Sequence, residues 1–244
     1  MISTKTNIHE LLGYDNIKIL QNDEMFSFSL DSMLLADFIE TKDAQEIIDL
    51  GCGNGPIPLF LTLKTDAHIT GVEIQEDVAK LAKESVKLNH FEKQIDIIND
   101  DLKGIYKTLG ANRFDVVSCN PPFFKVDDAL KNHNDYLTIA RHEVKASLFD
   151  IVLEASKLLK DGGMLYLVHR VERLSDVIDT LKKNKFGIKK MRFIYPVSGK
   201  DAQSFLLEAR FNRKDYIKVL KPLTIYNNGK YTEEVLNIFN FKKK

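Results

Sequence analysis

Three glycines at alternate positions, Gly51, Gly53 and Gly55, stand between two short apolar runs, 46–50 and 57–63. A strand that ends in such a turn and resumes as a helix needs a backbone that bends sharply, which glycine allows at little steric cost. Pro58 is tolerable in the first turn of that helix. The same alternation continues downstream. Strand-like runs at 69–73, 95–99 and 114–119 follow, with a helix at 76–89 carrying Val78, Leu81, Ala82, Val86 and Leu88 at roughly helical spacing. Strands alternating with helices predict an α/β fold with a parallel sheet and crossover helices.

A long polar stretch, 120–145, interrupts the pattern. Loops of this length inside compact domains are usually functional or disordered. Beyond it the spacing predicts a helix at 148–159, a turn at Asp161-Gly162-Gly163, a strand at 164–168 and a helix at 174–184. The runs 188–195 and 205–211 have no helix-sized gap between them, so an antiparallel pair at the sheet edge is expected. No linker-like segment divides the chain. One central domain at 46–212 is expected, with an N-terminal extension at 1–45 and a C-terminal one at 213–244.

Composition excludes several classes. The 244 residues are 44% hydrophobic and 29% charged, ordinary for a globular protein. No apolar run approaches the roughly 20 residues of a membrane span, and residues 1–7 lack the apolar core of a secretory signal, so the cytoplasm is the expected compartment. Two cysteines, Cys52 and Cys119, are too few for a disulfide framework or a zinc site, and the six histidines do not cluster. No metal is expected. The net charge of +0 conceals an asymmetry: residues 182–244 hold 16 Lys+Arg against 5 Asp+Glu, the remainder 19 against 30. A basic C-terminal third suits an anionic partner, nucleic acid first, although a solvated Lys-rich face is the plain alternative.

The glycine turn reads Asp49-Leu50-Gly51-Cys52-Gly53-Asn54-Gly55. It fails the dinucleotide fingerprint in both registers, because Pro56 and Pro58 stand where a third glycine is needed. A carboxylate ahead of the glycines suits a ligand with cationic groups and no pyrophosphate. Glu73 ends the next strand, where an acidic residue can accept hydrogen bonds from ribose hydroxyls. Asp100-Asp101-Leu102 ends the third. Asn120-Pro121-Pro122-Phe123 ends the fourth and opens the long loop. This run resembles a motif of methyltransferases that act on conjugated amino groups, which are poor nucleophiles because the lone pair is delocalised. The Asn120 amide oxygen and the Pro121 carbonyl can take its two hydrogens and favour a pyramidal nitrogen. The prolines restrict the backbone that holds these acceptors, and Phe123 offers a face for stacking. Upstream, Phe28 and Asp31 lie in a segment readable as a strand and helix cap.

The Asp-x-Gly-x-Gly-x-Gly turn resembles motif I of the class I S-adenosylmethionine-dependent methyltransferases, and Asn-Pro-Pro-Phe resembles their motif for amino nitrogens conjugated to a π system. With Phe28…Asp31…Leu34-Leu35-Ala36 and Ala140-Arg141-His142-Glu143, the chain resembles, over nearly its whole length, the bacterial tRNA1(Val) adenine-37 N6-methyltransferases. The resemblance implies a Rossmann-like fold with a mostly parallel seven-stranded sheet, an antiparallel edge strand and helices on both faces. It implies S-adenosylmethionine as cofactor, S-adenosylhomocysteine as product and tRNA as substrate, held by the basic third and the 120–145 loop of a monomer. The catalytic residues would be Asn120, Pro121, Pro122 and Phe123. The cofactor would meet Asp49, Gly51, Cys52, Gly53, Gly55, Glu73, Ile74, Leu102 and Asn120, with Asp101 or its neighbour Asp100 on the adenine and Phe28 and Asp31 closing the pocket. Two other functions are compatible with these motifs: a protein glutamine N5-methyltransferase, or a cofactor-binding RNA module without catalysis.

Overall fold

The computed structural model describes residues 6–22, 25, 29–121 and 146–240. Nine strands form a continuous path, in the order β12-β11-β8-β9-β7-β6-β3-β4-β5, and β10 pairs with β8. The strands are β3 (Glu46–Leu50), β4 (His68–Glu73), β5 (Ile95–Asn99), β6 (Phe114–Cys119), β7 (Leu159–Arg170), β8 (Phe186–Val197), β9 (Ser204–Phe211), β10 (Lys218–Val219), β11 (Leu223–Asn227) and β12 (Lys230–Tyr231). A separate antiparallel hairpin, β1 (Thr6–Leu11) and β2 (Tyr14–Asn22), precedes them.

The seven-strand core is mostly parallel, as expected. Its antiparallel member, β9, lies inside the sheet, paired with β7 on one side and β8 on the other. The helix between β7 and β8 returns β8 parallel to β7 but one place further out. The chain then hairpins back into the vacant slot, so β9 has both edges satisfied. The outer edge of β8 is covered in turn by β10 and β11. The expected turn at Asp161-Gly162-Gly163 is instead part of β7: the ladder pairs Phe114 with Leu159 and Val116 with Met164, and the extra residues bulge out. Gly162 makes this possible with φ +77.

Alternate residues of the central strands face opposite layers. Ile47, Val116, Tyr166 and Val168 join one buried cluster; Ile48, Val117, Leu165 and Leu167 join the other. The first cluster is covered by α1 (Leu30–Phe38), α2 (Pro56–Leu61), α3 (Glu76–Leu88) and α7 (Glu233–Ile238). The second is covered by α5 (Leu148–Leu158) and α6 (Leu174–Lys183), with the short α4 (Tyr106–Leu109) packed against its edge. No helix among the described residues is long and apolar enough to cross a membrane.

Helix α1 is fastened at both ends. The Ser29 side chain caps its first turn, accepting from the Ser32 amide. At the other end Lys64 donates from Nζ to the carbonyls of Ala36, Asp37 and Ile39, at 3.2, 2.6 and 2.6 Å. The terminal segments meet: Gly13 donates to the Phe239 carbonyl and Tyr14 to that of Ile238.

Gly71 in β4 lies directly under the glycine turn. A Cβ there would sit 2.8 Å from both Cys52 Sγ and Ile97 Cδ1. We expect Gly71→Ala to destabilise the fold by about 1–3 kcal/mol through overpacking, read from urea denaturation midpoints. Cys52→Ala in the same chain should recover part of that loss. Equal stability of Gly71→Ala and the parent would show that this approach is not tight.

Candidate active site at the carboxyl ends of the parallel strands

The parallel strands β3, β4, β5 and β6 point their carboxyl ends the same way, and a cavity opens there. Its floor is the glycine turn. Gly51, Gly53 and Gly55 adopt φ of 71, 56 and 90, values that side chains other than glycine rarely reach. The amides of Gly51 and Cys52 both donate to the Val72 carbonyl, at 2.8 and 2.9 Å. That pins the turn onto β4. Asn54, buried, donates from Nδ2 to the Leu20 carbonyl of β2 at 2.9 Å.

Glu73 ties two loops together. Its carboxylate accepts from the Gly53 amide at 3.0 Å and from the Gln75 amide at 2.9 Å. Burial pushes its pKa up, partly offset by those backbone donors. Asp49 lies opposite Ser118 in the β3–β6 ladder, and the Ser118 hydroxyl donates to Asp49 Oδ1 at 2.7 Å. Asp49 Oδ2 is buried without a partner among the described residues. Burial, reinforced by the negative charge of Glu73 and opposed by the Ser118 hydrogen bond, raises the Asp49 pKa to about 7. A buried, unsatisfied carboxylate oxygen of this kind favours a ligand that brings a positive charge or a strong donor.

Of the anticipated cofactor residues, Asp49, Gly51, Cys52, Gly53, Glu73, Ile74, Asp101, Leu102 and Asn120 line this one cavity, and Asp100 lines it too. Asp101 spends one oxygen on the Lys103 amide, and Asp100 accepts from the Asp101 amide. Gly55 is not in the lining; it starts α2, packed toward Ala82. Asp31, expected to close the pocket, turns elsewhere. The Ser204 hydroxyl of β9 donates to its Oδ1 at 3.3 Å, and Arg170 stands near enough to oppose the rise that burial causes in its pKa. The wall from that helix is Ser32, one residue on. Phe28, Pro122, Phe123 and the Ala140–Glu143 segment lie outside the described residues. Pro121 is buried beside Asn120.

Asn120 sits at the cavity wall with its Nδ2 donating to Ser32 Oγ at 2.9 Å and Ser29 Oγ at 3.2 Å. Its Oδ1 is therefore turned away from the serines. Cys52 and Cys119 are buried, and burial with the nearby carboxylates drives both thiol pKa values up, which disfavours the reactive thiolate. Ser29, Ser32 and Ser118 escaped sequence reasoning. For Ser118 a signal existed: it shares the alternation of Asn120 on β6.

A family model, the methyltransferase small domain, matches residues 16–189. The chain belongs to that family. Among its relatives, a tRNA1(Val) (adenine(37)-N6)-methyltransferase of Haemophilus influenzae (strain PittEE) is 28% identical over 230 residues, covering 92% of this chain and 94% of the relative. One of Histophilus somni (strain 2336), carrying the same name, is 30% identical over 209 residues, 84% of each chain. Among solved structures, a predicted O-methyltransferase, protein Atu636 from Agrobacterium tumefaciens, aligns with a TM-score of 0.70 at 24% identity, covering 86% of this chain and 96% of that one. TYW2 of P. horikoshii, solved in complex with MeSAdo, aligns with a TM-score of 0.61 at 16% identity, covering 86% and 73%. Both likenesses show the methyltransferase fold.

The raised Asp49 pKa makes stability depend on pH. The native state of the methyltransferase keeps a proton that the unfolded chain releases near the ordinary value of 3.8. The stability this group contributes is full below about pH 4 and is lost as pH rises through about 7. Asp49→Asn has no such proton to lose. Urea titrations of the ligand-free protein should show the variant gaining on the parent between pH 5 and 7 and holding a constant advantage above. Parallel pH profiles would mean that Asp49 is ionised throughout.

Proposed function

We propose that the chain is an S-adenosylmethionine-dependent N6-adenine methyltransferase acting on tRNA, with adenine 37 of a tRNA1(Val)-type molecule as the target. Support comes above all from Asn120 at the wall of the cavity that Asp49 and Glu73 also line, in a family member whose relatives carry that name along most of their length. The buried Asp49 oxygen and the Glu73 carboxylate fit the cationic and hydroxylated parts of that cofactor. When bound, S-adenosylmethionine supplies a methyl group on a positively charged sulfur. The chain's own residues do the rest. Asp49 and Glu73 would hold and orient the donor in this cavity.

The Asn120 side-chain oxygen and the Pro121 carbonyl accept the two hydrogens of adenine N6. That would favour a pyramidal nitrogen with its lone pair free to take the methyl, a preorganised electrostatic effect. Phe123 stacks on the base in this reading. An adenine stacked in a helix hides its amino group, so the target must be unstacked, which an anticodon loop allows at least cost. In the three-part organisation we infer, 46–212 carries the donor chemistry, while 1–45 and 213–244 flank it.

The basic third offers phosphate contacts, but some of its cations are already paired within the protein. Lys190 is paired with Glu40 and with Glu208, the latter at 3.0 Å, and Arg192 is paired with Glu234. Lys182, Lys183, Lys189 and Lys200 have no carboxylate partner among the described residues, and they are our candidates for holding the RNA.

Three measurements test this function. Transfer of labelled methyl to unmodified tRNA, with nucleoside mass spectrometry, should yield N6-methyladenosine. Asn120→Ala should lower kcat roughly a hundredfold to a thousandfold, about 3–4 kcal/mol, with cofactor affinity nearly unchanged. Wild-type turnover in that variant would overturn the mechanism. Replacing Lys182, Lys183, Lys189 and Lys200 by alanine should flatten the dependence of log K on log salt for tRNA by about 0.7–0.9 for each phosphate that is no longer neutralised. An unchanged slope would make this face merely solvated.

A further inference from the structure

An asparagine can serve an amino-group substrate in only one of its two amide orientations. With Oδ1 toward the substrate it accepts a hydrogen; flipped, it presents Nδ2, and two donors confront each other. The N6 of adenine donates both its hydrogens, so the flipped state is useless for the step proposed above. In a strand-end residue beside an open cavity, nothing in the backbone selects between the two states. Something must hold the amide.

Two hydroxyls from α1 are placed to do so. Asn120 Nδ2 lies 2.9 Å from Ser32 Oγ and 3.2 Å from Ser29 Oγ. The serines are themselves constrained. Their oxygens lie 3.4 Å apart, and Ser29 Oγ also accepts from the Ser32 amide as the helix cap. Ser32 is buried and lines the cavity directly. The helix that carries them is held from three directions: Lys64 on its last carbonyls, Ser204 on Asp31, and the apolar side chains of Met33, Leu34 and Leu35 in the core. A rigid helix thus delivers two acceptors to one side of the Asn120 amide, 88 and 91 positions away in the chain.

The geometry points to Ser32 and Ser29 as positioning residues that orient Asn120 with its oxygen toward the target amine. This rests on the adenine-methylating role of Asn120 proposed above. It also gives Asp31 a use that differs from contacting the cofactor: Asp31 fixes the first turn of α1, so the serines stay in place. An aligned amide raises kcat without contributing to cofactor affinity, because the alignment matters as the nitrogen pyramidalises.

The test is single-turnover methyl transfer to tRNA, with cofactor affinity by calorimetry, for Ser32→Ala, Ser29→Ala and both together. Loss of each hydrogen bond should lower the rate about fivefold to tenfold, with the double variant lower than either. Cofactor affinity should remain that of the parent. Ser29→Thr, which keeps an Oγ at the cap, should restore most of the rate lost in Ser29→Ala. The decisive comparison places Ser32→Ala in the Asn120→Ala background, where it should cost nothing further because there is no amide left to orient. A full-rate Ser29→Ala/Ser32→Ala protein, or a loss from Ser32→Ala that persists without Asn120, would overturn the inference. If Asn120→Ala itself retains the parent rate, the mechanism above fails instead, so the two failures are distinguishable. A fall in thermal midpoint with unchanged rate would assign the serines to helix capping alone.

Discussion

Two carboxylates held out of water side by side, Asp49 and Glu73, are the constraint around which the site is arranged. They stand near the carboxyl ends of adjacent parallel strands, and both are buried. Each would be costly if left alone, since burial disfavours charge. Glu73 is compensated by the Gly53 and Gln75 amides, and this single side chain thereby fixes the shape of both loops that border it. Among the described residues Asp49 is compensated only by Ser118, and one of its oxygens is left over. The unbalanced charge makes the cavity receptive to a cationic ligand and also makes the ligand-free protein sensitive to pH.

The glycine turn, Gly71 and Cys52 follow from the same requirement. For the Gly53 amide to reach Glu73, the backbone after β3 must cross over β4, and the crossing leaves no room for a Cβ at Gly71. Val72 accepts from two successive amides of that turn. Three glycines at positive φ let the turn make these backbone hydrogen bonds without steric strain. Anchoring is completed from the N-terminal hairpin, whose Leu20 carbonyl satisfies the buried Asn54 amide. The hairpin is therefore part of the wall behind the site, although it shares no ladder with the main sheet.

Much of the central domain was legible because strong local patterns govern it. The apolar runs at 46–50, 95–99 and 114–119 are observed as strands with the same limits. Strand β3, largely buried, reads as a nearly continuous apolar run, while Asp96 and Asn99 mark β5 as the partly exposed edge. The hairpin β1–β2 and the added strands β10, β11 and β12 were not legible. Their sequences are short, polar or only weakly alternating, as in Lys218–Val219 and Lys230–Tyr231. They become strands because an edge of β8 and the core around Phe239 are there to receive them. The Asp161–Gly163 turn failed for the opposite reason. Gly-Gly signals a turn locally, yet β6 pairs with β7 on both sides of it, at Leu159 and again from Met164, and the extra residues are absorbed as a bulge.

By itself the sequence singled out the candidate residues that line the cavity: an acidic residue before a glycine turn, an acid at the next strand end, and the Asn of Asn-Pro at the fourth. Each depends on contacts within a few positions or on strand periodicity, both of which are written locally. Tertiary structure alone decided how those residues are oriented. Asp31 turns to Ser204 rather than the cavity, Ser32 takes its place on the wall, and Lys190 and Arg192 are neutralised by Glu40, Glu208 and Glu234. The Asn120 amide is held by serines some ninety residues earlier in the chain. A hydrogen bond depends on where two atoms lie to within a few tenths of an ångström. Partners so remote in sequence reach that separation only when the whole sheet and its covering helices have packed.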